Sequence, residues 1–296
     1  MVLALSIQSC GKKDSANADI EEAGQQVGDV MASIDESGGS LGTIAANPEL
    51  NSTNRLFARL RPMELKESFW VELYRRAVIP SAEATSCLLA NTFSTCTNNV
   101  VTRTFGGCTI SLASFNGTVA LTWTDDAVDN TCLMTSAGHS ITRVPDFTVT
   151  GRRGATLSVS KSGSVGQRLT KSTSTGAFVF SNDGIRRVFT APNGSTLFDF
   201  TTQTTSDIAV SGASRAGRVL TGGGLRVTNN LTGVSCDLMP NTVTWQLGCN
   251  CPKSGSWAGT CSDGKSFSVS LTGCGTADLT VGSDSTSIIF DRCYGS

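Results

Sequence analysis

The chain has 296 residues and a formal net charge of −1, and charged residues make up only 16% of it. A balance so close to neutral provides no bulk field for nucleic acid, so we predict no nucleic-acid partner. Polarity comes from Ser, Thr, Asn and Gly, which disfavour long helices and suit strands and turns.

The front of the chain carries a short apolar run that ends at a cysteine. Ile7, Ser9 and Cys10 place an apolar residue, a small residue and a cysteine before a polar stretch that starts at Gly11. This pattern resembles the signal of bacterial lipoproteins. The run is short and no Lys or Arg precedes it, so we expect the true start to lie upstream.

The resemblance implies that residues 1–10 are a lipoprotein-type signal and that Cys10 is the lipid attachment site. In such proteins this thiol receives a diacylglyceryl group, and acyl chains such as palmitate anchor the mature N-terminus. Two or more chains hold a protein stably on a membrane. In such proteins, an Asp directly after the cysteine resembles an inner-membrane retention signal. This chain has Gly11 at that position, which favours the outer membrane.

Residues 11–61 are predicted to form a tether, a weak helix and a linker. The helix is expected over Asp19–Ser37, where a stripe of apolar residues has helical spacing: Ile20, Ala23, Val27, Val30 and Ile34. It is interrupted by Gly24 and Gly28, and we interpret it as a helix lying on the domain rather than a coiled-coil stalk. A formal nucleophile-elbow match at Gly38–Gly42 sits in linker sequence and is attributed to chance.

Residues 62–296 are predicted to form a helix over Pro62–Ala77 followed by a β domain. From Cys87 onward, apolar residues alternate with polar ones in short runs separated by turn residues, as at Val119–Trp123, Phe147–Val149 and Val243–Leu247. We predict a mainly β fold, an antiparallel meander forming a sandwich or barrel that is polar on one face. A β-solenoid is the alternative.

Setting Cys10 aside leaves an even number of cysteines for disulfides: Cys87, Cys96, Cys108, Cys132, Cys236, Cys249, Cys251, Cys261, Cys274 and Cys293. The rival interpretation is a zinc site at Cys249, Cys251, Cys261 and Cys274, but Cys249 and Cys251 are poorly spaced for a zinc knuckle. We therefore favour disulfides in an oxidising compartment.

A hairpin is expected around Asp263-Gly264, a two-residue turn signal. Centring the turn there pairs Ser262 with Lys265 and places Trp257 on the face opposite Phe267. In that register Trp257 either packs over a disulfide or is exposed, and a one-residue slip would reverse the assignment.

Residues that could carry chemistry are few, and we predict no catalytic, cofactor-binding or metal-binding residue. His139 is the only histidine, and we expect it in an exposed loop. Residues 125–130 hold several carboxylates but lack the spacing of a calcium loop. Gly222–Gly224 opens no helix and is not a phosphate loop. The pairs Arg152-Arg153 and Arg186-Arg187 are expected to be exposed near turns.

The sequence therefore favours a lipid-anchored cell-envelope protein with a structural, adhesion or binding role. Its expected partners are the membrane, through the lipid, and an envelope polymer or protein. Two alternatives stay open. A polysaccharide hydrolase needs two carboxylates about 5–10 Å apart. A carrier of lipid or another apolar ligand needs an unfilled apolar interior.

Overall fold

A computed structural model describes residues 20, 23–28, 30–31, 34, 94–110, 113–124, 132, 136–151, 154–172, 177–212, 215–249 and 251–290. The helix predicted at Pro62–Ala77 and the acidic run at 125–130 lie outside these residues. The described part contains one helix, α1, whose described positions are 20, 23–28, 30–31 and 34, and sixteen strands in one sheet.

The strands follow one another along the chain with short connections. Their bounds are β1 Val100–Ile110, β2 Ala113–Thr124, β3 Ser140–Thr150, β4 Thr156–Lys161, β5 Gln167–Lys171, β6 Phe178–Asn182, β7 Ile185–Thr190, β8 Thr196–Ser206, β9 Ile208–Ser211, β10 Val219–Thr221, β11 Gly224–Asn229, β12 Ser235–Thr244, β13 Ser254–Cys261, β14 Ser266–Gly273, β15 Thr276–Val281 and β16 Asp284–Ile289. A single 3-10 turn at Arg215–Gly217 precedes β10.

Every pairing between the described strands is antiparallel, which confirms the predicted meander and excludes a parallel β-solenoid for this part of the chain. Four pairs of consecutive strands lie end to end, namely β4 with β5, β6 with β7, β8 with β9 and β10 with β11. For example, β4 and β5 both pair with the same edge of β3, and β7 and β6 pair with β4 and β5 in turn. The sheet is thus a simple up-and-down meander whose central strands are broken partway.

The breaks in neighbouring strands lie side by side and form a crease across the sheet. Asp183 fixes one of them, because its carboxylate accepts hydrogen bonds from the backbone N–H groups of Val165 and Gly166, both at 2.6 Å, and from the Ser164 hydroxyl at 3.0 Å. Burial raises the pKa of Asp183, but these donors outweigh it and hold the pKa below its usual value.

Glycines with positive φ allow the strands to approach one another at this crease. Gly223, at φ +85°, lies against the neighbouring backbone, and a Cβ there would sit 2.4 Å from the carbonyl oxygen of Asp207. Gly184 and Gly255 make similar close approaches to Ser162 and Thr242. Only glycine combines this conformation with this clearance, so the crease depends on residue type.

Helix α1 is enclosed by the sheet. All its described positions are buried, including each member of the predicted apolar stripe. A Cβ at Gly24 would contact Ile288, Val269 and Leu279, which belong to β16, β14 and β15. On the other side, the Gln26 side chain accepts a hydrogen bond from Arg187 of β7 at 3.0 Å. The two glycines that interrupt the stripe are therefore contact points rather than defects.

The β13–β14 hairpin differs from the prediction by one residue. Thr260 pairs with Ser266 and Trp257 with Val269, because the loop has three residues, with Gly264 in the left-handed region at φ +86°. The shift turns Trp257 inward, where it is fully buried in the main core beside Val269. The expectation that Trp257 leaves the core is wrong.

Candidate functional site

The solvent-facing side of the sheet carries rows of hydroxyl groups that run across neighbouring strands. One row follows the pairing register through β2, β3, β4, β7 and β8, with a bulge between Phe189 and Thr190 at its last step: Ser114, Thr150, Thr156, Thr190 and Thr196. All five are at least partly exposed. They alternate with inward residues such as Phe115, Val149 and Leu157, so the same period-two pattern that forms the core produces the row.

A second row runs parallel to the first across eight strands: Thr104, Thr118, Asp146, Ser160, Arg186, Thr201, Thr228 and Ser235. Between the two rows, Thr148 and Ser158 are joined by a 3.2 Å hydrogen bond between their hydroxyls. We call the two rows and the residues between them the hydroxyl face.

The charges near this face are paired with each other. Arg186 donates to Asp199 through two bonds, one of 2.8 Å from Nε, and the Asn230 amide donates to the same carboxylate at 2.7 Å. The hydrogen bond from Arg186 holds the pKa of Asp199 below its usual value.

Arg226 and Asp237 form a second two-bond pair, with both distances at 2.7 Å. The Arg226 guanidinium lowers the pKa of the Asp237 carboxyl in the same way, although both side chains are exposed. Among the described residues of the hydroxyl face, Asp146 is the remaining charge. The face is therefore polar and close to neutral.

Buried arginines on the inner side of the sheet were missed by sequence reasoning. Arg103, Arg143 and Arg187 are each at most 8% exposed, and each lies between two core residues of its strand. Arg143 donates to the Gln167 side chain at 2.9 Å, as Arg187 does to Gln26. In the sequence, each arginine occupies the same period-two positions as the core residues of its strand, and this pattern could have indicated its burial. Arginine, however, is normally assigned to the surface.

Two predicted surface features are corrected by these positions. Arg186 is exposed near the turn at Asp183, as predicted, but Arg187 is the next residue of β7, and because strand residues alternate in direction it points inward and is 7% exposed. His139 is 8% exposed instead of being a solvated loop residue, and its Nδ1 faces the Ser136 N–H at 3.4 Å. Gly222–Gly224 leads into a strand, as expected for a segment that is not a phosphate loop.

The described cysteines form disulfides, as predicted. The described bridges are Cys96–Cys132, Cys236–Cys261 and Cys249–Cys274, and Cys108 and Cys251 are disulfide-bonded as well. Three members of the rival zinc set, Cys249, Cys261 and Cys274, are thus used in two different bridges. Cys10, Cys87 and Cys293 lie outside the described residues.

No group of three or more His, Cys, Asp or Glu side chains suited to a metal occurs in the part of the chain that the structure describes. The described helical residues include no span long and apolar enough to cross a membrane. Comparison of the chain with protein-family models, with curated proteins and with solved structures finds no match.

Proposed function

We propose that this chain is a lipid-anchored protein of the bacterial outer membrane with a non-catalytic structural, adhesion or binding role. The observation that carries the proposal is the set of disulfides, since bridges of this number belong to oxidising compartments outside the cytoplasm. The signal-like residues that end at Cys10 supply the route of export and the membrane anchor.

Three of the described carboxylates are unsuited to the acid role of a glycosidase, which supports a non-catalytic role. A glycosidase needs one carboxylic acid with a raised pKa to protonate the leaving group. Asp183, Asp199 and Asp237 instead have lowered pKa values, because each accepts hydrogen bonds from backbone, guanidinium or amide donors. The hydrogen bonds that each of these carboxylates accepts stabilise the sheet.

The interior of the sheet argues against a carrier of apolar ligands. Such a carrier needs an empty apolar cavity. Here α1 lies inside the sheet, and Arg143, Arg187 and Gln26 place polar groups between apolar clusters. Among the described residues, α1 and these polar side chains take up interior positions that an apolar ligand would need.

Mass spectrometry of the mature N-terminus tests the proposal. After expression from the upstream start in a Gram-negative host, we expect the mature chain to begin at Cys10 with diacylglyceryl and acyl groups, and to sediment with outer membranes. The Cys10→Ser variant should lose the lipid and leave the membrane fraction, while Gly11→Asp should move the protein to the inner membrane. An unmodified Cys10 in a protein recovered from the soluble fraction would contradict the proposal.

A further inference from the structure

We propose that the hydroxyl face binds a neutral polysaccharide, whose chain lies along the row Ser114, Thr150, Thr156, Thr190 and Thr196. This inference refines the binding role proposed above and rests on it. Because neighbouring strands are about 4.8 Å apart, a polymer crossing them meets a new hydroxyl at each strand, over a length of about 19 Å.

Charge complementarity points to an uncharged partner. Among the described residues, the arginines near the rows are Arg186 and Arg226, which are held by Asp199 and Asp237, so neither is available as an isolated cation for phosphate, sulfate or uronate groups. A nucleic acid or an acidic polysaccharide would find no isolated cation among the described residues of this face. Hydroxyl groups both donate and accept hydrogen bonds, and they match the hydroxyls of a neutral glycan without a charge being desolvated.

The physical character of the face favours long polymers over short sugars. The three described tryptophans, Trp123, Trp245 and Trp257, are all buried in the core, so none of them provides a stacking platform for a single sugar ring. Each hydroxyl contact replaces a hydrogen bond to water with a hydrogen bond to the glycan, so it adds little to the binding free energy. Binding therefore requires many contacts along one chain, and affinity is expected to rise steeply with polymer length.

Sedimentation with insoluble chitin and cellulose, and affinity electrophoresis in mannan, test this inference on the full chain in detergent. We expect binding to at least one of these polymers, retention in moderate salt, and weaker binding of disaccharides than of hexasaccharides of the same sugars, because only the longer chains span the row. The variant Thr150→Val/Thr156→Val/Thr190→Val removes three hydroxyls from the row and keeps the β-branched shape of each side chain. It should bind about tenfold more weakly or worse.

The matched control is Thr260→Val/Thr272→Val/Thr280→Val, which removes three hydroxyls from β13, β14 and β15. It should bind within about twofold of the parent. Equal loss in both variants, binding to none of the neutral polymers, or salt-sensitive binding to polygalacturonate alone would each overturn the inference. These outcomes leave lipidation of Cys10 unaffected, so failure here is distinct from failure of the proposed function.

Discussion

At the scale of single residues, the crease shows how local backbone conformation determines the shape of the sheet. Gly222 and Gly223 are neighbours and both have positive φ, at +74° and +85°. A Cβ on Gly222 would meet nothing within 4 Å, whereas a Cβ on Gly223 would lie 2.5 Å from Cα of Ile208. Substitution at Gly222 therefore measures the cost of backbone strain alone, and substitution at Gly223 measures strain together with a steric clash.

Substituting each glycine with alanine should give clearly different stabilities. Gly222→Ala only places an alanine in the left-handed backbone conformation, and we expect a loss of about 1 kcal/mol in the free energy of unfolding. Gly223→Ala also forces β10–β11 away from β9, and we expect a loss of about 2–4 kcal/mol. Urea denaturation followed by fluorescence measures both. Equal losses would show that backbone approach is not limiting at the crease.

Asp183 predicts a pH dependence that can be assigned to one side chain. Its pKa in the folded protein lies below the ordinary value of 3.8. Its contribution to stability is therefore complete above the unfolded-state pKa and is lost as the pH falls through the folded-state pKa. Because the side chain is exposed, the contribution is small, about 0.5–1 kcal/mol.

The Asp183→Asn variant should accordingly be less stable than the parent at pH 7, and this difference should shrink as the pH falls below about 4. Thermal unfolding of both proteins between neutral and acidic pH measures the difference. Asp278→Asn serves as the control, since Asp278 is an acid on β15 with no part in the crease. A constant difference between parent and Asp183→Asn at every pH would contradict the assignment.

At the scale of elements, α1 shows why glycine in a helix need not indicate weakness. A Cβ at Gly28 would lie 2.5–2.8 Å from three carbon atoms of Phe290, two of them in the ring and one its Cβ. At Gly24 the nearest contacts would be 3.3–3.7 Å, mainly with side-chain ends that can move. Of the two glycines, Gly28 lies closer to its neighbour, Phe290, which directly follows β16.

Alanine substitutions in α1 should have opposite signs at these two positions. Alanine favours a helix over glycine by about 1 kcal/mol, so Gly24→Ala should be neutral or slightly stabilising. At Gly28 overpacking costs about 1–3 kcal/mol and should outweigh that gain. Calorimetric melting temperatures measure both, and Gly28→Ala with Phe290→Leu should recover part of the loss. Stabilisation by Gly28→Ala would contradict the packing.

Sequence periodicity predicted the strands well and the register poorly. Apolar alternation identified the buried residues of β2, β3 and β4, and it identified the apolar stripe of α1. The one-residue error at Trp257 arose because Asp263-Gly264 suits both a two-residue and a three-residue loop, and only packing selects between them. The hydroxyl rows depend on pairing between distant strands, which single-strand patterns do not reveal.

At the scale of the whole molecule, the disulfides link segments that the meander alone would leave joined only by hydrogen bonds. Cys96–Cys132 connects the segment before β1 to the chain after β2 across 36 residues. Cys249–Cys274 connects the β12–β13 loop to the end of β14 across 25 residues. Loops of this size predict about 3.5–4 kcal/mol from each bridge through restriction of the unfolded chain.

Oxidation should therefore decide whether the domain is stable. Protein exported to the periplasm should give no free thiol at Cys96, Cys132, Cys236, Cys249, Cys261 or Cys274 when it is denatured without reductant, and unreduced peptide mapping should recover the three described pairs. Reduction, or expression in a reducing cytosol, should lower the melting temperature by more than 10 °C, since about 2–4 kcal/mol is lost per bridge. The Cys236→Ser/Cys261→Ser variant isolates one bridge and should show a fraction of this shift. Full stability in the reduced protein, or alkylation of several of these thiols without reductant, would contradict both the pairing and the extracytoplasmic location that depends on it.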